Sequence, residues 1–219
     1  MNRTGKVVSW SVWIGIALVA VTLTLALMLW KLQSLRVVPA PALPVISQVS
    51  AFTLTNQLGQ PVTLENLKGR VWVADVIFTR CAGPCPVMTR HMRELQDALP
   101  AASAAQLITL TTDADFDTPP VLLKYAEHFG ANPQRWRFLT GDKRLIAALA
   151  MDDLKLSAVP TKPEDRKDDA DLFVHTSIFV IVDKQGRLRS SCQTQGEMVD
   201  WAASKARILA TVKQLENEP

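Results

Sequence analysis

The hydrophobic pattern of the chain begins with one long apolar segment. Residues 7–30 include no charged side chain, and as a helix they would span about 36 Å at ~1.5 Å per residue. This length crosses a bilayer with some tilt and exceeds the apolar core of a cleaved signal peptide, which is the alternative. Trp10, Trp13 and Trp30 lie near its ends, where tryptophan is typical of membrane interfaces. The pattern predicts a retained membrane anchor over residues 1–30.

A proline-containing linker is predicted over residues 31–50, where Pro39, Pro41 and Pro44 make a semi-stiff spacer. Residues 51–219 then form one folded domain of ordinary size. The basic residues on the two sides of the apolar segment barely favour an N-terminus inside the cell. Because most of the chain follows that segment, we expect a single-pass inner (cytoplasmic) membrane protein with its domain on the periplasmic or other extracytoplasmic side.

Shorter apolar segments alternate with amphipathic ones through the domain. Residues 71–78 are rich in β-branched side chains and predict a buried strand. After it, Met88, Met92, Leu95 and Leu99 share one face of a predicted helix. Other strands are predicted at 52–54, 62–64, 106–112, 136–140, 178–182 and 187–191, with helices after Thr118, after Asp142 and over 197–215. This order predicts an α/β sheet with helices on both faces.

Composition narrows the possible partners and the disulfide content. Without Arg3 and Lys6, which precede the apolar segment, the chain has 22 basic and 21 acidic residues. This balance argues against a nucleic-acid partner. Three cysteines are too few for a disulfide scaffold. Cys192, the odd one, is expected to be a buried structural residue, although a reactive thiol is the alternative.

Two cysteines lie where the strand at 71–78 passes into the next helix. Cys81 and Cys85 are four residues apart, and Pro84 and Pro86 suit the first turn of a helix. The helix N-terminus is expected to favour the thiolate, and positions i and i+4 share a helix face, so both sulfurs could meet one ion. Such a pair serves reversible disulfide chemistry or a soft metal, unless both cysteines are merely structural. In an oxidising compartment it also needs a reducing or ligating partner.

A third metal ligand is expected among the histidines. His91 and His128 are most simply surface residues of helices. His175 follows a hydrophilic segment at 160–171 and precedes a central strand, so it is the favoured ligand. Two thiolates and one imidazole suit copper in either oxidation state, whereas zinc would normally require a fourth ligand. Met88 and Met92 could ligate as thioethers, but at helical spacing they are expected in the core.

Three aspartates follow the strand at 106–112. Asp113, Asp115 and Asp117 resemble the start of a calcium-binding loop, but Thr118 and Lys124 replace its required glycine and glutamate. We therefore expect these aspartates to cap a helix and to hydrogen-bond within the loop.

Three stretches together resemble the SCO (SCO1/SenC) family of copper-binding assembly proteins for cytochrome c oxidase. They are residues 78–86, Thr112-Asp113 with residues 117–119, and His175 with residues 178–183. The resemblance implies a thioredoxin-like fold and copper, as Cu(I) or Cu(II), held by Cys81, Cys85 and His175. It also implies a client, cytochrome c oxidase subunit II or a related copper oxidase, together with a copper donor protein and a thiol reductant. Ala82-Gly83 and Cys192 depart from the family pattern.

The leading hypothesis is a membrane-anchored copper metallochaperone rather than an enzyme. The alternative is a thiol–disulfide oxidoreductase, in which Cys81 and Cys85 form the redox pair and keep client cysteines reduced. A peroxide-reducing enzyme is disfavoured because the sequence has no separate peroxidatic site.

Overall fold

The computed structural model describes residues 4–34, 41–156, 158–160, 173–175 and 177–218, with side chains described for 10–31, 41–156 and 177–218. The predicted hydrophilic segment at 160–171 therefore lies almost entirely outside the described residues. The chain divides into two compact units, Met1–Pro41 and Ala42–Pro219. The second unit thus begins within the predicted linker.

In the first unit the structure describes one long helix, α1 (Thr4–Ser34), over the predicted apolar segment. Within it, Trp10–Lys31 is long and apolar enough to cross a membrane, as judged by length and composition.

The second unit is built on ten strands and five further helices among the described residues. The strands are β1 (Ser47–Gln48), β2 (Thr53–Asn56), β3 (Pro61–Thr63), β4 (Trp72–Ile77), β5 (Gln106–Thr111), β6 (Trp136–Thr140), β7 (Ala158–Pro160), β8 (Phe173–His175), β9 (Ile178–Val182) and β10 (Arg187–Gln193). The helices are α2 (Leu64–Leu67), α3 (Cys85–Ala98), α4 (Pro119–His128), α5 (Lys143–Ala148) and α6 (Trp201–Asn217), and a π-helical turn (Leu149–Asp153) follows α5.

Eight strands form one mixed sheet in the order β1-β10-β9-β4-β5-β6-β2-β3. The central strands β4, β5 and β6 are parallel, and the flanking pairs are antiparallel. β4 is buried along its whole length, which explains why its sequence is continuously apolar rather than alternating. β7 and β8 form a separate two-stranded ladder. The predicted α/β sheet is confirmed, and its strands run both parallel and antiparallel.

Helices cover both faces of the sheet, as predicted. Side chains of α3, α4 and α6 fill one half of the core, including Met92, Leu122 and Ile208. Side chains of α2, α5 and the π-helical turn fill the other half, including Leu67 and Ile146.

Two local predictions differ from the structure. The last helix begins at Trp201 rather than at residue 197, because the Asp200 carboxylate caps it by accepting hydrogen bonds from the backbone N–H groups of Ala202 and Ala203. The short strand β1 was not predicted, because a two-residue strand has no periodicity that a sequence could reveal.

A buried ion cluster joins both ends of the second unit. Arg189 donates to Asp183 (2.8 Å), to Glu218 (2.8 Å) and to the carbonyl oxygen of Leu43 (2.6 Å). Arg189 and Asp183 are only 4 % and 2 % exposed. Burial opposes ionisation of Asp183, but backbone N–H groups and the guanidinium groups of Arg189 and Arg187 outweigh it and lower its pKa.

We expect the substitution Arg189→Met to lower the free energy of unfolding by about 3 kcal/mol, because it leaves the Asp183 carboxylate buried with half its cationic partners. The matched control, Lys68→Met, removes an exposed pair with Glu65 and should cost less than about 1 kcal/mol. Urea unfolding of the intact protein in detergent, followed by tryptophan fluorescence, measures both.

The pH dependence of the free energy of unfolding provides a second test of the same interaction. A carboxylate with a lowered folded pKa contributes stability above its unfolded pKa of about 3.9, and loses it as the pH falls through the folded value. Arg189→Met should therefore flatten the loss of stability below about pH 4. An unchanged acid limb would contradict this account of the cluster.

Candidate metal centre

The two neighbouring cysteines lie at the carboxyl end of β4. The strand ends at Ile77, residues 79–84 form a turn, and Cys85 is the first residue of α3. Pro84 is the N-cap residue of α3, and a further proline lies in its first turn. The predicted strand-to-helix junction is confirmed. The prediction that both thiols share one helix face was wrong, because Cys81 precedes the helix.

The turn nevertheless brings the two thiols into hydrogen-bonding contact. Both thiols lie in a small apolar cluster with Ile77, Phe78 and Tyr125. Cys85 is completely buried, and Cys81 is 8 % exposed. The contact with the Cys81 thiol and then burial raise the pKa of Cys85 well above its ordinary value. The expected lowering of the thiol pKa by the helix N-terminus was therefore wrong for Cys85, since the contact with the Cys81 thiol and then burial act in the opposite direction.

The carboxylate of Asp117 holds the start of the cysteine loop. It accepts a hydrogen bond from the backbone N–H of Thr79 (3.0 Å) and others from the hydroxyl groups of Thr79 and Thr111. Asp117 has no exposed surface, and this burial raises its pKa although the three donors oppose the shift. The loop is therefore fastened to the end of β5 by the Asp117 carboxylate.

A second aspartate holds the next residue of the loop. Arg80 donates to Asp113 from Nε (3.1 Å) and Nη2 (2.5 Å), and its guanidinium carbon lies 4.2 Å from the centre of the Phe116 ring. The expected hydrogen bonding within the aspartate loop is confirmed. The expected helix cap was wrong, because the N-cap residue of α4 is Thr118 and no side chain caps that helix. The role of the aspartates in fixing the cysteine loop was missed. The sequence signal that could have revealed this role is the prediction of two parallel strands, β4 and β5. The carboxyl ends of adjacent parallel strands meet at one edge of a sheet, so the loops that follow them lie close together.

A hydrogen-bonded chain also fixes the first turn of α3. The Thr89 hydroxyl donates to the Cys85 carbonyl oxygen (2.9 Å) and lies 2.9 Å from the Tyr125 hydroxyl. Since the single Thr89 proton is used on the carbonyl, Tyr125 is the donor in the second bond. Burial raises the pKa of Tyr125, so it stays a neutral donor. The backbone that carries Cys85 is thus held from α4.

The described backbone brings the region of His175 toward the same edge of the sheet. β9 runs antiparallel to β4, with Val180 opposite Ala74 and Val182 opposite Trp72. β9 therefore starts at the carboxyl end of β4, where the cysteines lie, as predicted. His175 precedes that start by three residues and pairs with Ala158 in the small ladder. Its side chain lies outside the described side chains, so its role as a ligand stays a prediction.

The other two histidines and the methionines lie as predicted. His91 is half-buried and stacks on Trp201 with ring centres 3.9 Å apart, and burial lowers its pKa. His128 is exposed at the last residue of α4. Met88 and Met92 are fully buried in the core.

Cys192 is a core residue, as expected. Its side chain is 2 % exposed and contacts the Ser204 carbonyl oxygen and the Arg207 guanidinium. Among the side chains described, no group of three or more His, Cys, Asp or Glu residues could hold a metal ion.

Comparison with known proteins identifies the family. The SCO1/SenC family model matches residues 44–210. The chain belongs to this family. The SCO1 protein homolog of Bacillus subtilis is 38 % identical over 147 residues, which cover 66 % of this chain and 73 % of that protein.

Solved structures show the fold. BsSco, a member of the Sco family of cytochrome c oxidase assembly proteins in which a disulfide switch was identified, is 32 % identical with a TM-score of 0.67, over 81 % of this chain and 99 % of that one. Bradyrhizobium japonicum ScoI with copper bound matches with a TM-score of 0.62 at 23 % identity, over 77 % and 99 % of the two chains, and shows the fold alone. The fold is thioredoxin-like, as the resemblance implied.

The substitution Asp117→Ala should release the cysteine loop. It removes three hydrogen bonds to one buried carboxylate, so we expect a loss of about 3 kcal/mol in stability and at least ~10-fold faster alkylation of Cys81 by iodoacetamide. Mass spectrometry locates the modified cysteine.

Asp115→Ala is the matched control from the same loop, because Asp115 is 75 % exposed and pairs only with the exposed Lys143 among the described residues. It should leave the alkylation rate within about twofold of the unmodified protein. Equal rates in the two variants would contradict the anchoring role of Asp117.

Proposed function

We propose that this SCO1/SenC protein is a membrane-anchored copper metallochaperone that holds Cu(I) or Cu(II) with the thiolates of Cys81 and Cys85 and the imidazole of His175. One observation carries the proposal. Two thiols in contact lie at the sheet edge where the chain bearing His175 enters β9. Their loop is fixed from two neighbouring elements, which favours a preformed pair of donors.

The donor chemistry fits copper. Thiolate sulfur and imidazole nitrogen are soft to borderline ligands, and a trigonal set of them suits copper better than zinc, magnesium or calcium. The apolar surroundings that raise the pKa of Cys85 make two uncompensated thiolates costly. A bound cation would offset that cost, because each coordinated thiol would lose its proton to the solvent while Cu(II) balanced both thiolate charges and Cu(I) one of them.

Membership of the family supports a destination for the copper. The B. japonicum and Arabidopsis thaliana ScoI structures were solved with copper bound, and BsSco is described as an assembly protein of cytochrome c oxidase. We propose transfer to subunit II of that oxidase or to a related copper oxidase. A copper donor protein and a thiol reductant complete the set of partners. The role is delivery, so no catalytic residue is assigned.

The anchor and the site lie at separate places in the chain. We propose that residues 1–30 anchor the protein in the cytoplasmic membrane, that 31–50 are the linker, and that 51–219 form an extracytoplasmic, periplasmic domain. Within the second unit, β1 pairs with β10 at Leu188, and Leu188 lies opposite Val182 of β9. Val182 in turn marks the amino end of β4. The thiols lie at the carboxyl end of β4, about 20 Å away along six residues of strand.

Thiol–disulfide exchange is the second candidate function, and the contact between the two thiols favours it. In that reaction Cys81 and Cys85 give up two protons and two electrons, form one disulfide, and reduce one client disulfide to two thiols. A disulfide also neutralises the buried pair, so the same site could serve both purposes.

Anaerobic copper titration of the intact protein in detergent tests the first function. We expect one copper per chain with a thiolate-to-copper charge-transfer band, which Cys81→Ser and Cys85→Ser should each abolish. His175→Ala should weaken binding at least ~100-fold, the scale of losing one ligand bond. His91→Ala and His128→Ala are the matched controls and should bind as tightly as the unmodified protein. Tight binding by His175→Ala would contradict the ligand set.

The His175→Ala variant also separates the two functions. Because disulfide exchange needs only the sulfurs, the variant should react with a model disulfide at a rate within about threefold of that of the unmodified protein. Stopped-flow mixing of the reduced protein with oxidised glutathione measures this rate. If that substitution reduced exchange as strongly as copper binding, the histidine would act on the thiols themselves, and the two-function account would be wrong.

A further inference from the structure

A groove between α3 and α4 opens directly beside the thiols. It encloses about 680 Å³ and begins at Pro86, the neighbour of Cys85. Tyr125 and Phe129 give it an apolar wall, and Arg90, Arg93 and His128 supply basic groups, with Glu94 as the acidic one. We call this surface the α3–α4 groove. Its volume is in the range of sites that hold small ligands or a few residues of peptide.

The groove shares a wall with the thiol pair. The ring of Tyr125 lines the groove and also packs against the apolar cluster that contains Cys81 and Cys85. The same residue is hydrogen-bonded through Thr89 to the Cys85 carbonyl. Anything that occupies the groove therefore lies next to the side chains that hold the cysteine loop.

The groove presents an excess of positive charge. The Glu94 carboxylate already accepts from Lys205 (2.7 Å) and from the Trp201 indole (2.9 Å). Arg93 pairs with Asp97 at 2.9 Å. Arg90 is exposed and has no carboxylate within salt-bridge distance in the described part of the chain. The charge that remains for a partner is thus the guanidinium of Arg90.

We propose that the α3–α4 groove docks an extended segment of the client protein in which acidic side chains flank an aromatic one. The aromatic ring would lie on Tyr125 and Phe129, and a carboxylate would pair with Arg90. Apolar contact supplies affinity, and the charge pair supplies orientation and a faster encounter. The inference rests on the proposed function, since it assigns the surface by which a client is held while copper or electrons pass at the neighbouring thiols.

Peptide binding to the intact protein in detergent tests this assignment. The probes are fluorescein-labelled pentapeptides Ser-Glu-Phe-Glu-Ser, Ser-Lys-Phe-Lys-Ser and Ser-Glu-Ser-Glu-Ser, followed by fluorescence anisotropy at low salt. The first should bind at least about tenfold more tightly than either of the others, and 0.5 M salt should remove most of the difference. Equal binding of the acidic and basic peptides would overturn the proposal.

Charge variants locate the bound peptide. Arg90→Glu should weaken binding of the acidic peptide about tenfold or more, and Arg90→Lys should largely restore it. Lys213→Glu is the matched control, since Lys213 is an exposed residue of α6 outside the groove lining, and it should change little. If Arg90→Glu and Lys213→Glu weakened binding equally, the groove would not be the docking surface.

Two further readouts separate this inference from the proposed function. Arg90→Glu should bind copper as tightly as the unmodified protein, so weaker peptide binding with normal copper binding supports the groove. Failure of the unmodified chain to bind copper would overturn the proposed function instead. A second copy of this chain is the other possible occupant of the groove. A dimer in light scattering that Arg90→Glu dissociates would overturn the client-segment assignment.

Discussion

The hydrogen bonds to the Asp117 carboxylate are the interaction on which the site depends. The cysteine loop leaves β4 and must return at once into α3, so its own backbone has few regular partners. Asp117 fixes the Thr79 backbone from the end of β5, and Asp113 fixes Arg80 beside it. From the other side, Tyr125 and Thr89 fix the Cys85 carbonyl. Two thiols four residues apart are thereby held in contact.

Burial of that thiol pair then limits what the site can do. An apolar cluster favours neutral species, so two ionised sulfurs are costly there. A disulfide bond removes both charges, whereas a bound cation would offset them, Cu(II) fully and Cu(I) by one of the two. The proposed copper and redox functions are in this sense alternative ways of stabilising one pair of sulfurs. The neighbouring groove adds a surface from which a partner could reach them.

Much of this arrangement could be predicted from the sequence, and the failures have physical causes. The central strands and α3 were predictable because the hydrophobic pattern of each segment indicates which of its residues are buried, as in the continuous apolar stretch of β4. The pairing of Asp117 with Thr79 was not, because it spans 38 residues and arises only when β4 and β5 align in parallel. The Cys85 pKa was predicted in the wrong direction, since the helix terminus was visible in the sequence, whereas the contact with the Cys81 thiol and the burial that raise this pKa arise only in the folded chain. Likewise, Asp200 was not recognised as a helix cap, so α6 was predicted to begin too early.

The central claim is that the side chains of Cys81, Cys85 and His175 bind one copper ion at the edge of the sheet. X-ray absorption spectroscopy at the copper edge of the loaded protein tests it most directly, because it counts the sulfur and nitrogen neighbours of the metal. The account predicts two sulfur ligands and one imidazole nitrogen, with the imidazole signal absent from the His175→Ala protein. A shell with one sulfur or none, or an imidazole signal that persists in that variant, would contradict it.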